Sequence, residues 1–283
     1  MRILIAGGTG VLGRRILPEL LNRGHEVTVL ARTPQRAASL AERGATVVQG
    51  DVFDRAALCS AVSHAAPEVV MHQLTDLTHR CSQANARIRK AGTRNLVDAA
   101  AAAGVNQFIA QSIAWCYEAG DEPADESVPL DAHAEDPTRR AVVDAVATLE
   151  CYAAEFPRHV ILRNGALYGP DTWYAANGDH AAAAQSGTIS AEADVTSFVH
   201  AVDAAAAAVA ALDWPTGPVN VVDTDPAPGT EWVPAFCEAI GAPAPQTSGA
   251  PRRGWARGAD NSRARALGWS PTFASWRDGF FQG

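Results

Sequence analysis

The chain opens on an apolar run that breaks at once into glycines: RILIAGGTGVLG fills residues 2–13. Few openings restrict a fold so tightly. Gly7, Gly10 and Gly13 stand in the spacing GxxGxxG between a strand-like run and a helix-like one. The first lets the backbone turn sharply, the second lets a pyrophosphate come close, and the third lets the following helix pack against the strand. The free N–H groups of that helix's first turn carry partial positive charge toward the phosphates. A dinucleotide is therefore expected on this loop, against Gly7, Thr9, Gly10, Val11, Leu12 and Gly13.

The rest of the first half keeps the same rhythm. Apolar runs at 2–7, 26–31, 45–50, 68–73 and 106–111 read as buried strands. The amphipathic or alanine-rich stretches 11–23, 35–43, 54–65 and 82–103 read as helices. Strict alternation implies right-handed crossovers and a parallel sheet with helices on both faces. A helix over about 137–156 and strands at 159–165 and 217–223 continue the pattern. The expected fold is α/β: a Rossmann-like, doubly wound parallel sheet with a small C-terminal substrate lobe. Residues 1–165, with about 195–225, would form the dinucleotide-binding domain. About 166–194 and 226–283 would form the lobe.

Composition narrows the partners. A formal net charge of -8 argues against nucleic acid or an anionic membrane, since both reward clustered cations. The five cysteines are scattered without CxxC, and the eight histidines contain no HxxxH or HExxH, so neither a disulfide framework nor a metal site is expected. The N-terminus enters a strand directly, with no room for a signal peptide, and the alanine-rich stretch 201–212 carries Asp203 and reads as a soluble helix. A cytoplasmic protein acting on a small molecule is expected.

Nucleotide preference is read at the end of the second strand. An acid there would bind the ribose 2′-OH of NAD, yet none occurs between Glu26 and Glu42. LARTPQR offers Arg32 and Arg36 instead, and a guanidinium suits a 2′-phosphate. Arg14 is placed to join them. NADP(H) is favoured over NAD(H), bound with or without redox turnover. GDV (50–52) puts Asp51 and Val52 near the adenine.

With the stretches GDVFD, AGTRNLVDAAAAAGV, LRNGALYGP, TSFVHAVDAAAA, GPVNVVD and ALGWSPTFASWRDGF, the chain resembles the extended short-chain dehydrogenases/reductases, and within them the NAD-dependent epimerases/dehydratases. The resemblance implies a Tyr-x-x-x-Lys pair on the helix after the fifth strand and a Ser or Thr at that strand's end. The tyrosine moves the proton, the lysine lowers its pKa and holds the nicotinamide ribose, and the hydroxyl orients a carbonyl. It also implies a homodimer through helices 82–103 and 137–156.

Here the pair is missing. Counting back from Glu150, which matches a glutamate the family often carries, puts Val146 at the lysine position and Val142 at the tyrosine position. No other register rescues it: none of the four tyrosines has lysine four residues on, and Lys90 is the chain's one lysine. If Tyr117 matches the family's structural tyrosine, the hydroxyl position falls on Ile113, with Ser112 beside it.

Substitute acids or polar anchors are sought among Tyr117, His133, Ser112 and Tyr168. Gln73, Trp115, Asn164, Trp173 and His180 are the candidate substrate contacts, on loops 73–81, 112–136 and 164–180. Three functions are compatible with this set. The expected one is an enzyme acting on a bulky organic substrate by a non-standard or redox-neutral reaction: a lyase, dehydratase, isomerase or cyclase. The second is an NADP-dependent reductase or epimerase with a displaced proton donor. The third is a redox-silent sensor of NADP or a metabolite.

Overall fold

The computed structural model describes residues 1–76 and 82–280. Residues 77–81, part of a loop expected to border the pocket and including Cys81, lie outside the described residues, as do the last three of the tail.

The elements run in chain order as β1 (Arg2–Ala6), α1 (Gly13–Asn22), β2 (Glu26–Ala31), α2 (Ala38–Ala41), β3 (Thr46–Gln49), α3 (Arg55–Ala65), β4 (Val69–His72), α4 (Ser82–Arg87), α5 (Thr93–Ala102), β5 (Gln107–Ile113), α6 (Pro137–Ala153) and β6 (Arg158–Asn164). Then follow β7 (Ala166–Tyr168), α7 (Asp179–Gln185), β8 (Ser190–Ala191), β9 (Val195–Thr196), β10 (Phe198–His200), α8 (Ala201–Ala210), β11 (Gly217–Val221), β12 (Ala227–Pro228), α9 (Gly229–Ala239), β13 (Gln246–Thr247), α10 (Ser262–Ala266) and α11 (Trp276–Gly279). A seven-stranded sheet has the order β11-β6-β5-β4-β1-β2-β3. β1 pairs in parallel with β2 and with β4, in registers such as Ile5↔Val29 and Ile5↔Met71.

The chain divides into two compact units. The first comprises Met1–Ser112, Ala132–Leu162 and Ala205–Pro218. Its β1 is buried from Ile3 to Ala6, as a strand covered on both faces must be. α1 buries Gly13, Ile16, Leu17 and Leu20, one stripe at helical spacing. α3 is capped by Asp54, which accepts from the Ala57 N–H, and α6 by Asp136, which accepts from Thr138, with Pro137 in its first turn.

Two expected helices differ in detail. The stretch 35–43 begins as a 3-10 turn, Pro34–Ala37, before α2. The stretch 82–103 is interrupted by a π-turn over Ile88–Gly92.

The second unit comprises Ile113–Asp131, Arg163–Ala204 and Val219–Gly283, so segments 113–131, 163–165, 195–204 and 219–225, expected in the sheet domain, group with the lobe instead. Its core packs Tyr168, Phe198, Trp232, Phe236 and Trp276. Asp203, in the first turn of α8 and 2% exposed, accepts from the Thr272 and Phe273 N–H groups at 2.8 and 3.0 Å. Asp223, 1% exposed, accepts from Trp276 N–H at 2.9 Å. Two buried carboxyl groups thus hold the tail to this unit by accepting from backbone N–H groups.

Candidate functional site

The first unit holds a cavity of about 460 Å³ at the carboxyl ends of β1, β2 and β3. Gly7, Thr9 and Gly10 form one wall. Gly7 has φ +98°, and a Cβ on it would lie 2.5 Å from the Gln73 carbonyl oxygen. A Cβ on Gly13 would lie 2.4 Å from the Gly7 carbonyl oxygen, so only glycine lets α1 start this close to the loop. Leu12 and Gly13 are buried beneath the loop, and their contribution is backbone geometry.

Arg32, Arg36, Asp51, Val52 and Gln73 line the same cavity. Arg32 and Arg36 are exposed, and among the described residues neither forms an ion pair. Arg14 does not line it. Asp51 accepts from the Phe53 N–H at 2.9 Å, shaping the turn after β3. The Phe53 ring, also on the wall, carries the Arg87 guanidinium at 3.9 Å. Neither Phe53 nor Arg87 was expected from sequence, since only the fold brings 87 to 53.

The end of β4 is fixed from behind. His72, 0% exposed, receives a bond from the Leu74 N–H on Nδ1, so its Nε2 proton goes to Thr93 Oγ1 at 2.8 Å. Thr93 donates in turn to the Ile88 carbonyl in the π-turn, and Ile88 also lines the cavity. Burial pushes the His72 imidazole down to about 4, which keeps it neutral. Gln73 is 5% exposed, and neither atom of its side-chain amide has a protein partner. A buried amide left open this way is the kind of group a ligand completes.

On α6, Val146 is 0% exposed and Val142 half-buried. Lys90 does not replace the missing cation: it forms an exposed ion pair with Asp144. Ser112 was a candidate anchor, but its hydroxyl donates to Glu150 Oε1 at 2.6 Å in a buried pair. Its proton is committed within this unit. His133 is exposed and lines neither cavity described here.

The second unit corrects both tyrosines. Tyr117 is 1% exposed; its hydroxyl donates to Asn220 Oδ1 at 2.5 Å and accepts from Arg163 Nη1 at 3.0 Å. It pins its loop rather than offering a proton. Tyr168 is 0% exposed among Phe198, His200 and Phe280, and burial with Asp223 nearby pushes its phenol well above the usual range. A phenol so placed is a poorer acid than a free one. Asn164, 2% exposed, leaves both amide atoms without a protein partner, as Gln73 does.

This unit has its own cavity, of about 350 Å³. Trp115 and His180 line it, whereas Trp173 does not and meets the His180 ring edge-on, with centroids 6.4 Å apart. Tyr174, Trp232, Trp255, Glu192, Asp194 and Arg253 also line it, and of these only Tyr174 stands on a loop expected from sequence to border the pocket. They come from four separate segments, and no local spacing joins them. Among the described residues no group of three or more His, Cys, Asp or Glu could hold a metal ion, and no helix is long and apolar enough to cross a membrane.

A known family and several known proteins resemble the chain. The profile of the NAD dependent epimerase/dehydratase family matches residues 3–222. A 3-diazoavenalumate denitrifying reductase from a Streptomyces species is 45% identical over 99% of each chain. Among solved structures, the UDP-glucose 4-epimerase of Thermus thermophilus in complex with NAD superposes with a TM-score of 0.77 at 25% identity, covering 99% of this chain and 97% of that one. WbmG of Bordetella bronchiseptica, in complex with NAD and UDP, gives 0.79 at 24% identity over 99% and 91%, a likeness of fold.

Proposed function

Because the chain belongs to the NAD-dependent epimerase/dehydratase family, we propose that it is an NADP(H)-dependent reductase that replaces a diazo group on an aromatic substrate with hydrogen and releases N2. The observation that carries this reading is a nucleotide cradle kept intact beside an acid that has been removed.

The cavity of the first unit fits a dinucleotide. Gly7, Gly10 and Gly13 would hold the pyrophosphate, and the open amide of Gln73 would gain a partner. Arg32 and Arg36 would hold a 2′-phosphate where NAD enzymes place an acid. Asp51 and Phe53 would flank the adenine. Bound there, the reduced nicotinamide supplies hydride.

Reduction of a carbonyl needs a proton as well as a hydride, and the family's acid supplies it. This chain has valine at both helical positions, a Ser112 proton engaged by Glu150, and buried phenols at Tyr117 and Tyr168. An arenediazonium needs no such acid. Hydride forms the new C–H bond, the C–N bond breaks with its electron pair leaving on N2, and the charge of the cation is cancelled. Carbon is reduced, the reduced nicotinamide is oxidised, and no proton is consumed.

The missing acid alone also suits a redox-neutral reaction. We favour hydride transfer because the relative matched over its full length is named a denitrifying reductase. The test is a mixture of the protein, NADPH and an arenediazonium salt. NADPH consumption should match N2 release mole for mole and run faster than with NADH. Consumption with a carbonyl panel but not with the diazonium would overturn the reading.

A further inference from the structure

The cavity of the second unit has a charge and a lining that the proposed reaction does not by itself require. Four tryptophan and tyrosine rings line about 350 Å³, Trp115, Tyr174, Trp232 and Trp255, with the His180 imidazole stacked on Tyr174 at 4.3 Å. Trp115 is 43% exposed, an unusual state for a tryptophan in a folded chain. The faces of such rings carry partial negative charge and attract cations. The volume is near the small end for ligand pockets, enough for one substituted ring.

The charged side chains on the wall add to this. Of the Asp, Glu, Lys and Arg side chains on the wall, Glu192 and Asp194 stand against a single guanidinium, that of Arg253, a surplus of one carboxylate, with the His180 imidazole on the same wall. Arg253 Nη2 lies 3.1 Å from Glu192 Oε2, its Nε donates to Asp194 Oδ2, and its guanidinium sits 4.9 Å over the Trp255 ring. One cation thus already rests on an indole of this wall between two carboxylates. The neighbouring arginines turn elsewhere: Arg252 reaches Asp121 and the Gly120 carbonyl, and Arg257 donates to the Glu122 carbonyl. A pocket for an anionic substrate would present its arginines unneutralised.

Building on the proposed reaction, we infer that the second unit recognises its substrate as a cation. The arenediazonium form binds among the four rings, with Glu192 and Asp194 supplying the opposing charge, and these residues set specificity for charge as well as shape. Recognition of the cation selects the form whose carbon accepts hydride without a proton.

The test uses unreactive probes of one shape and different charge. By calorimetric titration of the full chain, (4-hydroxyphenyl)trimethylammonium should bind about tenfold more tightly than its neutral isostere 4-tert-butylphenol, and 4-hydroxybenzenesulfonate should bind least. Glu192→Gln should weaken the cation about two- to fivefold, and Arg253→Gln should strengthen it by a similar factor. A general loosening of the pocket would weaken both, so the opposite signs are diagnostic. Equal binding of the neutral isostere, preference for the sulfonate, or weakening by both variants would overturn the inference. If the cation preference fails while a diazonium is still reduced with N2 release, charge recognition falls and the reaction stands. If the preference holds without diazonium turnover, the assigned reaction falls and the cation pocket stands.

Discussion

Valine at 142 and 146 can be read directly from sequence, because an i, i+4 pair and its anchor Glu150 lie on one helix. Restoring the cation at 146 should not restore activity. Val146→Lys would bury an ammonium at a site that is 0% exposed, lowering stability by several kcal/mol or forcing the amine neutral, with no gain in turnover. Thermal denaturation and NADPH oxidation would show both. The tyrosines were less legible. Nothing local reveals that Tyr117 is shared by Asn220 and Arg163, more than forty positions away along the chain. Tyr117→Phe would take the shared hydroxyl from the buried Asn220 Oδ1 and Arg163 Nη1 and cost about 1–3 kcal/mol of stability, with kcat unchanged; a large loss of kcat in folded protein would instead make Tyr117 the displaced acid. Arg32→Ala with Arg36→Ala should raise KM for NADPH about tenfold or more and leave KM for NADH nearly unchanged. An equal rise for both cofactors would remove the 2′-phosphate contact from the account.

At the scale of elements, the alternation of strand and helix was written plainly, since buried parallel strands are continuous apolar runs. Breaks within helices were not. Pro34 gives a 3-10 start before α2, and the π-turn at Ile88–Gly92 takes its place in a buried chain from His72 through Thr93. That chain depends on a residue two elements earlier, which no window of sequence contains. The junction of β1 and α1 was fully legible, because its requirement is steric. Gly13→Ala places a methyl 2.4 Å from the Gly7 carbonyl and 2.5 Å from Gly8 Cα, both backbone atoms. The loop must shift, and NADPH affinity should fall at least about tenfold. Arene binding in the second unit should survive. Parallel titrations with NADPH and with the trimethylammonium probe would check this, and unchanged NADPH affinity would contradict the role given to the loop.

For the whole molecule, two buried groups set opposing pH responses. His72 is depressed from 6.5 to about 4 by burial, so the unfolded chain takes up a proton first as pH falls. Its contribution to stability is full above pH 6.5 and is lost between 6.5 and about 4. Asp223 is raised from 3.8 to about 8 by burial, so the folded chain keeps its proton longer. Its contribution is full below pH 3.8 and is lost as pH climbs to about 8. Above pH 6.5, as proton uptake by the unfolded His72 fades, Asp223 should lower stability by up to about 1.4 kcal/mol per pH unit. Asp223→Asn should flatten that limb in denaturant titrations from pH 6.5 to 8; an unchanged slope would rule the carboxyl out as its source. The pocket of the second unit was the least legible feature of the molecule. Its rings and charges converge from residues 115, 174, 192–194, 232 and 253–255, and only the completed fold assembles them. Hydride transfer without a proton remains the central claim, and isotope labelling tests it most directly. With NADPH deuterated at the transferring position, in ordinary water, the arene should carry deuterium at the carbon that bore nitrogen. Unlabelled NADPH in D2O should leave that carbon with ordinary hydrogen. Deuterium arriving there from the solvent, with the cofactor's own label retained, would contradict the account.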